Sequence, residues 1–337
     1  MSDKDSADQT KHTETTTTTE EEVMAKSVDE FSADQQIVCS IIPGLSADLY
    51  KGQSGRIGVI GGSVEYTGAP YFAAISALKA GADLSYVFCS RESAPIIKSY
   101  SPELIVYPNL DSDNAVEEIA AVLPKLHAVV IGPGLGRNDR TLANVGAVID
   151  KIKEMDIPLV LDADALYFVS KCPEIVRGYT KAILTPNVAE FDRLYASVYR
   201  SEPNKSEDPN AALMQLCHTL GDITIIRKGA EDTISDGHNI VTCSERGSPR
   251  RCGGQGDLLS GSMGVFSYWS HKAFAAQSSS TDLSRQKLSP TLVAALGAAM
   301  LTRRCARLAF AKWSRSTTTT DLIAEINTAF KSLYPID

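Results

Sequence analysis

Between residues 56 and 243 the chain alternates short apolar runs with longer amphipathic stretches. The runs at 56–60, 84–89, 104–107, 128–132, 159–162, 182–185 and 223–227 are bounded by Gly, Pro or Asp and predict strands. Stretches at 69–80, 115–123, 141–154 and 211–220 carry helical spacing and separate most of those strands. Such alternation predicts parallel βαβ units, an α/β class with a mostly parallel central sheet and helices on both faces. Two further runs, 232–236 and 239–243, flank Gly237 and His238 and predict a hairpin at the sheet edge. The last third is helical, with strong helices at 258–269 and 291–313 joined by a polar surface insertion at 277–289. In the second of these helices Val293, Gly297, Leu301, Cys305 and Leu308 share one face, and its alanines predict close packing.

No shift in composition divides the chain beyond residue 33, so 33–337 is expected to form a single catalytic domain. Residues 1–32, with five consecutive threonines from Thr15 to Thr19, are too polar to offset the entropy of ordering and are expected to be disordered. The same tail carries most of the charge. Of a net charge of −8, six negatives come from residues 1–30, where nine acidic side chains face three lysines. The remainder is nearly neutral and lacks the basic field that nucleic acid or an anionic membrane would require. Seven scattered cysteines, with no Cys-x-x-Cys pair, fit reduced thiols. The acidic, threonine-rich start reads neither as a secretory signal nor as a mitochondrial presequence, and no apolar run approaches the roughly 20 residues of a membrane span. A cytoplasmic protein acting on small molecules is expected; composition leaves homo-oligomerisation open.

In an open α/β sheet, ligands bind beyond the carboxyl ends of the strands. The predicted strands run out into Gly61-Gly62-Ser63, Gly132-Pro133-Gly134-Leu135-Gly136, Asp162-Ala163-Asp164, Thr185-Pro186-Asn187 with Glu190, and Lys228-Gly229. The sharpest signal comes later, at Cys252-Gly253-Gly254-Gln255-Gly256-Asp257, a glycine-rich turn running into a helix. Free N–H groups and the helix dipole make such a terminus a site for phosphate. Asp257 beside it suits a carboxylate that takes the proton of an attacking hydroxyl, although an ordinary aspartate is a weak base and an N-cap role is the simpler reading of an isolated Gly-Asp. Asn187 and Glu190, three residues apart at a helix start, fit either a capping box or a water-mediated hold on Mg²⁺. Asp162 and Asp164 are second candidates for the ion or for helix caps; Lys228 reads as a phosphate ligand or a surface lysine. No Walker A loop, protein-kinase motif set or His-Glu-x-x-His is present, and the spacing at 132–136 is not that of a dinucleotide fingerprint.

Taken together, Gly61-Gly62-Ser63 with Tyr66-Thr67-Gly68-Ala69-Pro70, the 132–136 glycines, Asp162-Ala163-Asp164-Ala165-Leu166, Leu184-Thr185-Pro186-Asn187 with Glu190-Phe191, and Arg250 to Asp257 resemble the ATP-dependent NAD(P)H-hydrate dehydratases. The resemblance spans about residues 35–335 and implies a three-layer ribokinase-like fold. It implies ATP as co-substrate, Mg²⁺ as cofactor, and the S epimers of NADHX and NADPHX as substrates, whose 6-hydroxyl is phosphorylated and then expelled as phosphate. Carried over by motif, Asp257 is the base and contacts substrate; Gly134, Asn187, Val188, Ala189, Glu190, Phe191, Asp192 and Arg193 line the substrate site. Lys228, Gly229, Ala230, Glu231, Asp232, Gly247, Ser248, Pro249, Arg250, Arg251, Cys252, Gly253, Gly254, Gln255 and Gly256 hold ATP. Asn187 and Gln255 depart from the His and Thr usual in ADP-using bacterial members and resemble the eukaryotic, ATP-using branch. A ribokinase-like kinase of a vitamin-precursor alcohol shares several of these elements, and an ATP-binding sensor would need neither Asp257 nor Glu190.

Overall fold

A computed structural model describes residues 32–204, 208–276 and 288–335. The expected disordered tail up to residue 31, and 277–287 of the expected insertion, lie outside the described residues. Nine strands form one sheet: β1 (Arg56–Ile60), β2 (Leu84–Phe88), β3 (Ile105–Tyr107), β4 (Ala128–Ile131), β5 (Leu159–Leu161), β6 (Ala182–Leu184), β7 (Thr224–Arg227), β8 (Asp232–Ser235) and β9 (Ile240–Cys243). Their order is β3-β2-β1-β4-β5-β6-β7-β8-β9. The first seven pair in parallel, with Ile57 opposite Ser85 on one side and Ala128 on the other. The hairpin expected around Gly237 adds β8 and β9 antiparallel at the edge.

The helices are α1 (Ala33–Cys39), α2 (Gly68–Ala80), α3 (Ala94–Tyr100), α4 (Ala115–Ala120), α5 (Asp139–Glu154), α6 (Asp164–Lys171), α7 (Val188–Tyr199), α8 (Pro209–Thr219), α9 (Gln255–Ala276), α10 (Pro290–Trp313), α11 (Thr319–Ala324) and α12 (Ile326–Leu333). Side chains alternate across each strand, and this divides the core in two. Val130, Val160 and Ile183 face α2, α9 and α10; Val129, Ile131, Leu159, Leu161 and Leu184 face α5, α6 and α8. The result is three layers, as the uninterrupted apolar strands require.

One expectation is corrected. Helix α9 begins at Gln255 rather than beyond Asp257, and runs to Ala276. Helix α10 buries the expected face except at Leu308, which is half-buried, and Ala294, Ala295, Ala298 and Ala299 are as buried as Val293 and Leu301, as close packing through alanines requires. It packs against α9, α1 and α12 as well as the sheet edge, so most of its circumference is covered. Among the described residues no helix is long and apolar enough to cross a membrane.

At the opposite end of the sheet from the glycine turns, His127 stacks on Tyr268 with ring centroids 4.2 Å apart, and Arg56 Nη2 lies 3.1 Å from its Nε2. Burial, then the Arg56 and Lys272 charges, push its pKa down from 6.5 to about 4. Between these values the unfolded chain binds a proton that the folded chain refuses. The stability contribution is therefore full above pH 6.5 and is lost as pH falls toward about 4. A His127→Phe variant keeps the stacked ring and should lose less stability than the parent over that window, as read from urea unfolding midpoints.

Candidate active site

The parallel strands all deliver their carboxyl ends to the same edge of the sheet, and this brings together residues far apart in sequence. Beyond β5, Asp162 is 2 % exposed; its Oδ1 accepts the Thr185 hydroxyl at 2.5 Å and the Lys228 ammonium at 3.1 Å. Thr185 follows β6 and Lys228 follows β7. Pairing of β6 with β7 continues one step further through a bridge between Asn187 and Lys228, with Lys228 N–H donating to Pro186 O at 2.8 Å. Lys228 Nζ also lies 3.9 Å from Glu190 Oε2. Burial pulls down the Lys228 pKa, but the carboxylates of Asp162, Glu190 and Asp257 outweigh it and the net shift is upward. Lys228 is thus a fixed cation among three acids, not a surface lysine.

The first turn of α9 closes this cluster. A side chain at Gly256 would come within 3.7 Å of both Asp162 Oδ2 and Lys228 Nζ. Gly254, at φ +92°, lets the chain turn into the helix, and its carbonyl accepts the N–H groups of Asp257 and Leu258 at 3.0 and 3.2 Å. Among the described residues, the N–H groups of Gln255 and Gly256 have no backbone partner. Both residues line a cavity of about 440 Å³, together with Asn187, Lys228, Gly229, Ala230, Asp232, Gly247, Arg251 and Cys252. Asp257 lies within the helix and caps nothing, which removes the N-cap reading. Burial, then repulsion from Asp162, raises its pKa well above the ordinary carboxylate value, with Lys228 opposing. The sequence-based view of Asp257 as a weak base is corrected accordingly.

Asn187 and Glu190 do form the capping box of α7: Glu190 N–H donates to Asn187 Oδ1 at 3.0 Å and Asn187 N–H to Glu190 Oε2 at 2.8 Å. The box aims Glu190 at Lys228, so the two readings of this pair are compatible. Asp164 is committed elsewhere, since it accepts Gly136 N–H at 3.0 Å and Arg137 Nε at 2.9 Å. That bond fixes the 132–136 loop, in which Gly134 lies against Tyr66 and Pro70. Among the described residues no three acidic, histidine or cysteine side chains converge as a metal cage. The donors present, Glu190 and Asp162, are hard oxygens of the number Mg²⁺ takes from protein when phosphates and water supply the rest.

Several expected residues sit otherwise. Phe191 is 2 % exposed, packed in the core under the Arg227 guanidinium, and its ring does not face the site. Val188, Ala189 and Arg193 are exposed on α7, and Asp192 is half-buried. Glu231 and Ser248 line a second cavity of about 340 Å³ that shares Ala230, Gly247 and Arg251 with the first. Arg250 donates to Thr317 O at 3.4 Å, and Gly253 O accepts the Thr319 hydroxyl at 2.6 Å, so these two tie the turn to α11; Pro249 is exposed beside them. The sequence reading gave no role to Thr185, Leu259, Thr302 or Arg303, and the last three line the first cavity. No local signal singled out Arg303, one of four basic residues in α10 with Arg304, Arg307 and Lys312.

Known proteins are similar to this chain in sequence and fold. A family model described as NAD(P)H-hydrate dehydratase matches residues 57–328. A relative from Danio rerio named ATP-dependent (S)-NAD(P)H-hydrate dehydratase is 56 % identical over 298 residues, covering 88 % of each chain. Among solved structures, a ribokinase-like superfamily protein from Enterococcus faecalis has a TM-score of 0.71 at 22 % identity, covering 89 % of this chain and 95 % of its own. An ADP/ATP-dependent NAD(P)H-hydrate dehydratase from Bacillus subtilis, co-crystallised with ATP/Mg²⁺, has a TM-score of 0.66 at 21 % identity, covering 90 % and 98 %. The structural likenesses carry the ribokinase-like fold. With the family model and the Danio rerio relative both extending over most of its length, the chain belongs to the NAD(P)H-hydrate dehydratase family.

Proposed function

We propose that this protein dehydrates the S epimers of NADHX and NADPHX at the expense of ATP, restoring NADH and NADPH. The carrying observation is the half-buried carboxyl of Asp257 in the first turn of α9, next to free N–H groups at a cavity that also receives Lys228. Asp257 takes the proton of the substrate 6-hydroxyl as its oxygen attacks the γ-phosphorus of ATP. The bond to the β-phosphate breaks, and ADP leaves. The N–H groups of Gln255 and Gly256, with the helix dipole behind them, hold the migrating phosphoryl group, and Lys228 offsets charge on its oxygens. The ring nitrogen's lone pair then expels phosphate from C6, and loss of a proton from C5 restores the ring double bond.

Glu190, through water, and Asp162 are the residues that would hold Mg²⁺, which when bound supplies charge neutralisation on the phosphates. Lys228 to Asp232, Gly247 to Ser248 and Arg251 to Gly256 form the ATP side of the reading. Gly134 and Asn187 to Glu190 form the substrate side. The reading treats 33–337 as one catalytic domain. Seven unpaired cysteines support a reducing, cytoplasmic setting.

Incubation with ATP, Mg²⁺ and the S epimer of NADHX should regenerate reduced-nicotinamide absorbance, with one ADP and one phosphate released per ring restored. No recovery of absorbance, with ATP consumed on a thiazole or pyrimidine alcohol instead, would replace the reading by a vitamin-precursor kinase.

A further inference from the structure

Arg303, in the middle of α10, reaches the wall between both cavities from the helical layer and bonds to the strand-end loop that separates them. It is 9 % exposed. Its Nε donates to Asp232 Oδ2 at 2.6 Å, Nη1 to Ala230 O at 2.8 Å and Nη2 to Gly229 O at 3.2 Å. The other oxygen of Asp232 accepts Gly229 N–H at 3.0 Å. The turn after Lys228 is therefore clamped by one guanidinium and one carboxylate, with both polar backbone groups of Gly229 and the carbonyl of Ala230 engaged. On its other side Arg303 lies against Gly247, where an added Cβ would be 3.7 Å from its Cγ and Nη1.

We propose that Arg303 is a positioning residue for the nucleotide: it withdraws the carbonyls of Gly229 and Ala230 from the polyphosphate path and so sets the wall that both cavities share. The physical need is one of sign. Carbonyl oxygens turned into a cavity built for phosphate would repel it, and a guanidinium that collects them removes the repulsion. Because Asp232 balances its charge, Arg303 acts through the loop and not as a free phosphate ligand. The task also requires arginine. Three acceptors are met from three nitrogens of one planar fork, which a lysine ammonium on a flexible stem does not reproduce.

The inference rests on the ATP-dependent function proposed for this site, and the experiment separates the two. ATP titration of the parent protein comes first; a parent that binds no ATP overturns the functional reading, not the role of Arg303. Given binding, Arg303→Lys should raise the KM for ATP and the Kd for a non-hydrolysable analogue by about tenfold or more, the loss expected for hydrogen bonds from a charged donor. The KM for the hydrated nicotinamide nucleotide should change far less. A merely structural arginine would lower the melting temperature and the active fraction while leaving both KM values in place, and that result overturns the proposal. If Arg303→Lys does not fold, Asp232→Asn loosens the same clamp from its other end, and an unchanged KM for ATP there overturns the proposal equally.

Discussion

Asp257→Asn is expected to lower turnover by about 10²- to 10⁴-fold, the range for loss of a positioned general base, while ATP affinity stays within a few fold. The same substitution should make the protein more stable at neutral pH. Both effects stem from where the carboxyl sits. Burial and the nearby Asp162 carboxylate raise its pKa well above the ordinary value, and Lys228 only partly offsets them. From about pH 3.9 up to that raised value, the folded state holds a proton that the unfolded state has released. Stability therefore falls as pH rises across this window, and the full cost persists above it. Asparagine has no proton to lose, so the variant should gain on the parent as pH rises, measured by urea midpoints at acid and neutral pH. A difference independent of pH would mean that the carboxyl is not strained by its surroundings. Parent-like turnover in the variant would remove Asp257 from its assigned role.

Gly132→Ala should cost about 2–5 kcal/mol of stability, the sum of a strained backbone and an overpacked contact. Gly132 has φ +124°, and a Cβ there would stand 1.8 Å from the carbonyl oxygen of Asp162. That contact is with backbone, which cannot rotate aside. The strand end would have to shift, moving the carboxylate that holds Lys228 and faces α9. Gly178 provides the control: it also has positive φ, at +72°, but nothing lies within 4 Å of an added Cβ. Gly178→Ala should thus cost only the backbone term, about 1 kcal/mol. Equal urea midpoints for the two variants would show that close approach to Asp162 contributes nothing.

Much of this site was legible before any coordinates, for a definite reason. Apolar runs of four to six residues ending in Gly, Asp, Thr-Pro-Asn or Lys-Gly mark strands whose last residues meet water. In a parallel sheet every such end lies on the same side. Asp162, Asn187 and Lys228 could therefore be assigned to one edge from local pattern alone, whereas the 253–257 turn, which ends no strand, could be read only as a phosphate-binding helix start. The capping box at Asn187 and Glu190 was readable at the same level, because it depends on a spacing of three residues.

What local pattern could not supply was the environment of each side chain. Nothing near Asp257 in sequence reveals that Asp162, ninety-five positions earlier, raises its pKa, or that α9 starts early enough to place it inside the first turn. Phe191 belongs to a motif at the site, yet its helical position turns it into the core. Arg303 is one of four basic residues in α10, and only the edge hairpin, by bringing Asp232 against it, sets it apart. Sequence alone determined the strands, their order of appearance and the chemistry at their ends, because those depend on residues a few positions apart. The desolvation of Asp257, the fixing of Lys228 among three acids and the clamp on the loop after Lys228 were decided only by the tertiary structure, because desolvation and long-range charge depend on what the fold packs around a group.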